Sequence, residues 1–207
     1  MQVQVIDHPL AAAALTVLRD KGTPRSAFRP ALHDLATMLI YEATRGLPTV
    51  EVTVTTPLAT TTGVRVATEP VVVPVLRAGL GMLPAALALM PDARVAFIGV
   101  SRDETTFEPK AYLESVPESL ADQPVLLLDP MLATGGSALH CLRLLEAHGA
   151  RGITVVSVVA APEGLAALER SGLDLTVVTG VVDEGLNDVA YILPGLGDAG
   201  DRLYGAV

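Results

Sequence analysis

The chain has 207 residues, 50% of them hydrophobic and 3% aromatic, with no tryptophan and a formal net charge of −9. Such a length buries a sizeable core in one domain, and the aliphatic, alanine-rich composition suits buried parallel strands under helices, while the acidity leaves no global attraction for nucleic acid or an anionic membrane. The single cysteine, Cys141, excludes an intrachain disulfide framework and a multi-cysteine metal site. Its neighbours (LHCLRLL) mark it as a packed thiol rather than a nucleophile, and a reducing, cytoplasmic setting is expected. The opening residues do not resemble a leader peptide, and no apolar run reaches the ~18 residues of a spanning helix, so a soluble protein is expected. His8, His33, His140 and His148 fall in no metal-ligand spacing.

Residues 9–20 are apolar and alanine-rich, and residues 24–45 repeat Phe28, Leu32, Leu35 and Leu39 at helical spacing. Two helices are expected there, with Pro30 bending the second near its start. Alternation across residues 50–66, around Gly63, predicts a short hairpin. Residues 1–66 thus read as an N-terminal layer of helices and hairpin. Apolar runs at 71–76, 95–100, 125–128, 152–160 and 173–178 have the length of buried strands, and helical stretches at 80–90, 137–148 and 162–171 alternate with them. This rhythm predicts an α/β fold with a mainly parallel sheet flanked by helices, in one domain. Ligands of such sheets bind beyond the carboxyl ends of the strands, which directs attention to the loops after Leu76, Val100 and Leu128.

After Leu76, Arg77 is followed by small residues (LRAGLGM, 76–82). A backbone there can approach a pyrophosphate while the guanidinium holds it; a solvated arginine on a glycine-rich turn fits the same residues. Residues 102–121, starting at Arg102, are polar and fit a flap over a reacting centre, a surface loop or an oligomer arm. The most informative stretch is LLLDPMLATGGSALH (126–140), in which an apolar strand runs into Asp129, a Thr-Gly-Gly-Ser turn and a helix. Glycines let amides turn inward, the helix adds its positive end, and Thr134 and Ser137 supply hydroxyls, which together make a phosphate cradle. An ordinary strand-to-helix turn capped by Ser137 is the plainer alternative. No GK[ST] follows the glycines and no GxGxxG is present, so neither a triphosphatase loop nor a dinucleotide fingerprint is indicated. Finally, AYILPGLGDAGDRLYG (190–205) places glycines around Asp198 and Asp201. A bare backbone of this kind can read the edge of a small flat base, or simply form a terminal turn.

Strand, acid, Thr-Gly and helix in this order resemble the PRPP-binding loop of the phosphoribosyltransferases, where PRPP is 5-phosphoribosyl 1-diphosphate. DPMLATGGS (129–137), LRAGLGM, the RDE segment at 102–104 and PGLGDAGDR (194–202) resemble the uracil branch in particular, and a YEATR segment (41–45) is similar as well. Most other branches place two adjacent acids at the start of the loop; Asp129 followed by Pro130 agrees with the uracil enzymes. Departures concentrate in the first helix, at the alanines of 11–14. The resemblance implies a phosphoribosyltransferase-type fold, with a flap at 102–121 and a uracil-binding loop at 190–207, that converts uracil and PRPP to UMP and diphosphate.

The same resemblance implies PRPP contacts from Arg77, Arg102, Asp129, Pro130, Met131, Leu132, Ala133, Thr134, Gly135, Gly136, Ser137 and Asp198. It implies a uracil pocket of Ile192, Gly197, Asp198 and Ala199, and catalytic parts for Asp198 and Arg102. Asp103, Glu104 and Lys110 receive no role. Mg²⁺ is expected to arrive with PRPP rather than in a protein-built cage. A homodimer or higher homo-oligomer is implied, and GTP is a candidate allosteric activator on which no motif here decides. The rivals are a purine or orotate phosphoribosyltransferase, a PRPP-sensing RNA-binding regulator and a non-enzymatic sugar-phosphate binder.

Overall fold

A computed structural model describes residues 1–102 and 109–206. The chain runs through β1 (Gln2–Val5), α1 (Pro9–Arg19), α2 (Arg25–Ala43), β2 (Thr49–Thr55), β3 (Thr60–Val66) and β4 (Val71–Leu76), then a 3₁₀ turn (Ala78–Gly81) and α3 (Leu83–Leu89). There follow β5 (Phe97–Arg102), β6 (Pro109–Ser115), β7 (Val125–Leu128), β8 (Met131–Leu132), α4 (Gly136–Ala147), β9 (Ile153–Ala160), α5 (Pro162–Arg170), β10 (Leu175–Val182), β11 (Gly185–Leu186), β12 (Ile192–Leu193) and α6 (Ala199–Tyr204). The main sheet has the order β1-β10-β9-β7-β4-β5-β6, with β8 pairing beside β9. All of these pairings are parallel except that of β5 with β6 at the edge.

Strand side chains alternate between two faces, and the valine-rich runs serve both. Val72, Leu126, Leu128, Val156 and Val178 face a core filled by Phe28, Leu32, Leu35 and Leu39 of α2, together with Leu18, Ala85 and Leu203. Val71, Val73, Val75, Leu127, Val155 and Val177 face the other, filled by Cys141, Leu142 and Leu145 of α4 and Leu168 of α5. Burial, and then the charge of Asp129, pushes the Cys141 thiol up to about 12. It therefore stays protonated at neutral pH, as a packed thiol does.

Several boundaries differ from the sequence-based expectation. β1 joins the sheet as an edge strand parallel to β10, so the first 66 residues are not an outer layer alone. Its four residues alternate too briefly to signal a strand. The helix expected from residue 80 begins at Leu83, because Pro84 in its first turn has no amide to donate and the chain before it tightens into the 3₁₀ turn. Val95 makes only an isolated bridge to Val72, and β5 starts two residues later. The fifth expected strand begins at Leu175 and extends to Val182, and the glycine-rich C-terminal segment holds a helix, α6. Pro30 lies inside α2.

Candidate functional site

The carboxyl ends of β4 and β7 open side by side, and the loops that leave them frame a cavity of about 260 Å³. Arg77 and Ala78 form one wall, Asp129 and residues 131–138 another, and Asp198 and Gly200 close it. The cradle is built from local chemistry. Gly135 has φ +82, and a Cβ there would stand 3.1 Å from the Gly164 carbonyl, so only glycine turns the chain into α4 this tightly. The Thr134 hydroxyl accepts from the Gly136 amide at 3.3 Å, and no side chain caps the first turn of α4. Ser137 is therefore not the helix cap that the plainer alternative required. The positive end of a 12-residue helix faces the cavity with no acidic residue in its first turn.

Asp129 is half-buried at the root of this loop, and one of its oxygens accepts the Met131 amide at 3.3 Å. Burial outweighs that bond and raises its carboxyl to about 6. Arg77 reaches across to Asp201, with Nη2 to Oδ1 at 3.2 Å and both side chains nearly half exposed. Asp198 caps α6 by accepting the Asp201 amide at 2.8 Å.

A second cavity of about 290 Å³ lies against the first, lined by residues 189–192 and 197–200 together with Ala78, Met131 and Ala133. The two share Ala78, Met131, Ala133, Asp198 and Gly200 as a common wall. Ile192, Gly197, Asp198 and Ala199, expected from sequence as a base pocket, all line the second cavity. Arg77, Asp129, Thr134, Gly135, Gly136, Ser137 and Asp198 all line the first.

Pro130 does not line either cavity: it is buried, and its carbonyl accepts the Val158 and Val159 amides at 3.1 Å each. Leu132 borders the first cavity, but its side chain is packed in the core. The Arg102 side chain, Asp103, Glu104 and the Lys110 side chain lie outside the described residues. Sequence reasoning left Asp201 without a role; its position three residues after the helix-capping Asp198 was the available signal. Among the described residues no cluster of three or more His, Cys, Asp or Glu could hold a metal ion.

A mainly parallel sheet with a glycine turn and a helix N-terminus at its strand ends, beside a small second cavity, fits a phosphoribosyltransferase-type fold. A hypoxanthine-guanine phosphoribosyltransferase from Bacillus anthracis shares the fold, with a TM-score of 0.52 at 16% identity over 77% of this chain and 80% of its own. A solved protein structure from Aquifex aeolicus is far more similar, with a TM-score of 0.93 and 39% identity over 99% and 98% of the two chains. The model of the uracil phosphoribosyltransferase family matches residues 5–206, and the chain belongs to that family. Proteins named uracil phosphoribosyltransferase from Corynebacterium diphtheriae and Corynebacterium efficiens are each 53% identical over 99% of this chain and 97% of their own.

Proposed function

We propose that this chain transfers the 5-phosphoribosyl group of PRPP to uracil, giving UMP and diphosphate in pyrimidine salvage. The observation that carries the assignment of the site is the common wall at Asp198, which sets the phosphate cradle and a base-sized cavity back to back. The ribose 5-phosphate sits on the Thr134–Ser137 turn and the helix end behind it. Asp129 accepts from the ribose hydroxyls, and Arg77 takes the diphosphate. Gly197, Asp198 and Ala199 present backbone to the edge of the base, so the exocyclic amine of cytosine would set donor against donor.

In the reaction a ring nitrogen of uracil bonds to the anomeric carbon as the carbon–oxygen bond to diphosphate breaks, and the nitrogen gives up its proton to the departing diphosphate. The chain's share is alignment, charge on the leaving group and exclusion of water. Asp129 is the carboxylate that would face a Mg²⁺ ion arriving with PRPP, and the ion would supply neutralisation of the leaving group's charge. Asp198 stands between the two cavities, placed to stabilise positive charge developing on the ribose. Arg102 is assigned to the diphosphate on family resemblance alone.

The pairing of Arg77 with Asp201 leads to a pair of opposite outcomes. Asp201 competes for the guanidinium and repels an incoming diphosphate. Exposed ion pairs are worth about 0.2–1 kcal/mol, so Asp201→Asn is expected to lower the PRPP KM by up to about fivefold. Asp198→Asn keeps an oxygen to cap α6 but removes the charge, and is expected to lower kcat by about tenfold with little change in stability. Steady-state kinetics with both substrates separates the two.

The function is tested by pyrophosphate release from PRPP and Mg²⁺ with uracil, cytosine, hypoxanthine, adenine or orotate supplied singly, with and without GTP. Release and UMP formation with uracil alone is the expected result. Release with another base instead would move the specificity, and silence with all five would defeat the assignment.

The same reading includes a homo-oligomer in the cytoplasm. It is supported by the β2–β3 hairpin, whose Val50, Val54, Leu58, Val64 and Val66 are exposed on an arm. Among the described residues no helix is long and apolar enough to cross a membrane.

A further inference from the structure

The backbone that faces the base cavity is held from behind by the first helix, which lies far away in sequence. Asp183, just past β10, has a side chain only 3% exposed and meets Arg19 in the last turn of α1. The pair is bidentate, with Nη2 to Oδ1 at 2.5 Å and Nη1 to Oδ2 at 2.9 Å. Both partners also grip Gly195: its amide donates to Asp183 Oδ2 at 2.9 Å, and its carbonyl accepts from Arg19 Nη1 at 3.0 Å. The next carbonyl, that of Leu196, accepts from Arg202 Nη1 at 3.0 Å. The Arg202 guanidinium donates in turn to the carbonyls of Leu18 and Asp20 and lies 4.4 Å over the Phe28 ring. Two guanidinium forks seated on the end of α1 therefore fix successive backbone groups immediately before Gly197 and Asp198.

Enclosing an ion pair this way contributes little net stability, because desolvation offsets the attraction. Its contribution is direction, since a two-toothed guanidinium–carboxylate pair permits one relative placement. We infer that Arg19 and Asp183 are positioning residues for uracil recognition. Neither lines the base cavity; they set the height and tilt of the peptide units at 197–199 that do. The inference rests on the proposal above that this segment reads the base.

A misplacement of about 1 Å costs on the order of a hundredfold when recognition is geometric, and loosening the loop without removing it should cost less. Arg19→Met and Asp183→Asn are therefore expected to raise the uracil KM about tenfold while leaving the PRPP KM within about twofold. Arg19→Lys keeps the charge but spans only one of the two partners, and should fall between; it also serves if Arg19→Met does not fold. The margin of uracil over cytosine should narrow in the same order.

The experiment pairs two-substrate kinetics with amide hydrogen exchange over residues 195–199 of the folded variants, with and without UMP. Faster exchange in that segment together with a selective rise in uracil KM is the expected result. If UMP fails to slow exchange there in the unaltered protein, the base-site proposal itself falls. If UMP does slow it, yet Arg19→Lys and Asp183→Asn leave exchange and uracil KM unchanged, the positioning role is overturned. Equal rises in both KM values with a lowered Tm would make the pair a structural brace and overturn it too.

Discussion

Asp129→Asn should yield a protein that melts higher and turns over about a hundredfold more slowly, since hydrogen bonds to a charged group contribute about 1.5–3 kcal/mol each. The stability gain follows from the direction of its shift. Burial raises the carboxyl from the ordinary 3.8 to about 6, so the folded protein binds this proton more tightly than the unfolded chain does. Below about pH 4 the group is protonated in both states and costs nothing. As pH rises through 6 the folded state must ionise a carboxylate that it solvates poorly, and stability is lost.

A shift of about two units corresponds to about 3 kcal/mol, which contact with the open cleft reduces to about 2 kcal/mol. Asparagine keeps an oxygen for the Met131 amide and has no charge to bury. For a chain of this size the gain is about 4–8 °C in Tm at pH 7–8, shrinking to nothing well below pH 4. Thermal melts of the two proteins across that range decide the point; a pH-independent difference would show that ionisation of Asp129 is not its cause. The cost to function has the same source, because a carboxylate kept short of water is a strong acceptor for ribose hydroxyls.

What could be read from the sequence was whatever lies contiguous in it. The cradle is nine consecutive residues, 129–137, whose glycines, hydroxyls and following helix each state their part locally, and all but Pro130 border the cavity. Pro130, implied by the resemblance, is the exception, and its carbonyl serves the β9 amides. The continuous valine-rich runs likewise announced strands, because parallel strands buried on both faces read as unbroken apolar stretches.

Nothing local announced the contacts that join distant segments. Arg77 meets Asp201 across 124 residues, and Arg19 meets Asp183 across 164. Single charged residues at such separations are indistinguishable from solvated ones until the chain is folded. β1 failed to register for a different reason: an edge strand draws its stability from its neighbour β10 rather than from its own pattern. α6 was hidden because a short helix begun by an aspartate cap within a glycine-rich run carries almost no propensity signal.

Gly79→Ala should lower kcat/KM by at least about a hundredfold, through geometry rather than chemistry. Gly79 is buried in the 3₁₀ turn after Arg77, and that turn lies directly on the end of β7 where Asp129 begins. A Cβ there would run into the Leu128 carbonyl and stand 3.1 Å from the Pro74 Cα, both of them backbone that cannot rotate aside. The turn must lift away from the sheet, taking with it Arg77 of the first cavity and Ala78 of the wall common to both. Overpacking of this kind costs about 1–3 kcal/mol of stability, so the variant should fold with a lowered Tm. Because the turn serves both compartments, KM should rise for PRPP and uracil together, unlike the selective rise expected on loosening Arg19 and Asp183. Gly46→Ala is the matched control: a Cβ there meets nothing within 4 Å, and with no contact to strain it should leave Tm within about 2 °C. A Gly79→Ala enzyme with unaltered kinetics would mean that the turn can shift without carrying Arg77, and that contact between it and β7 does not hold the two cavities in register.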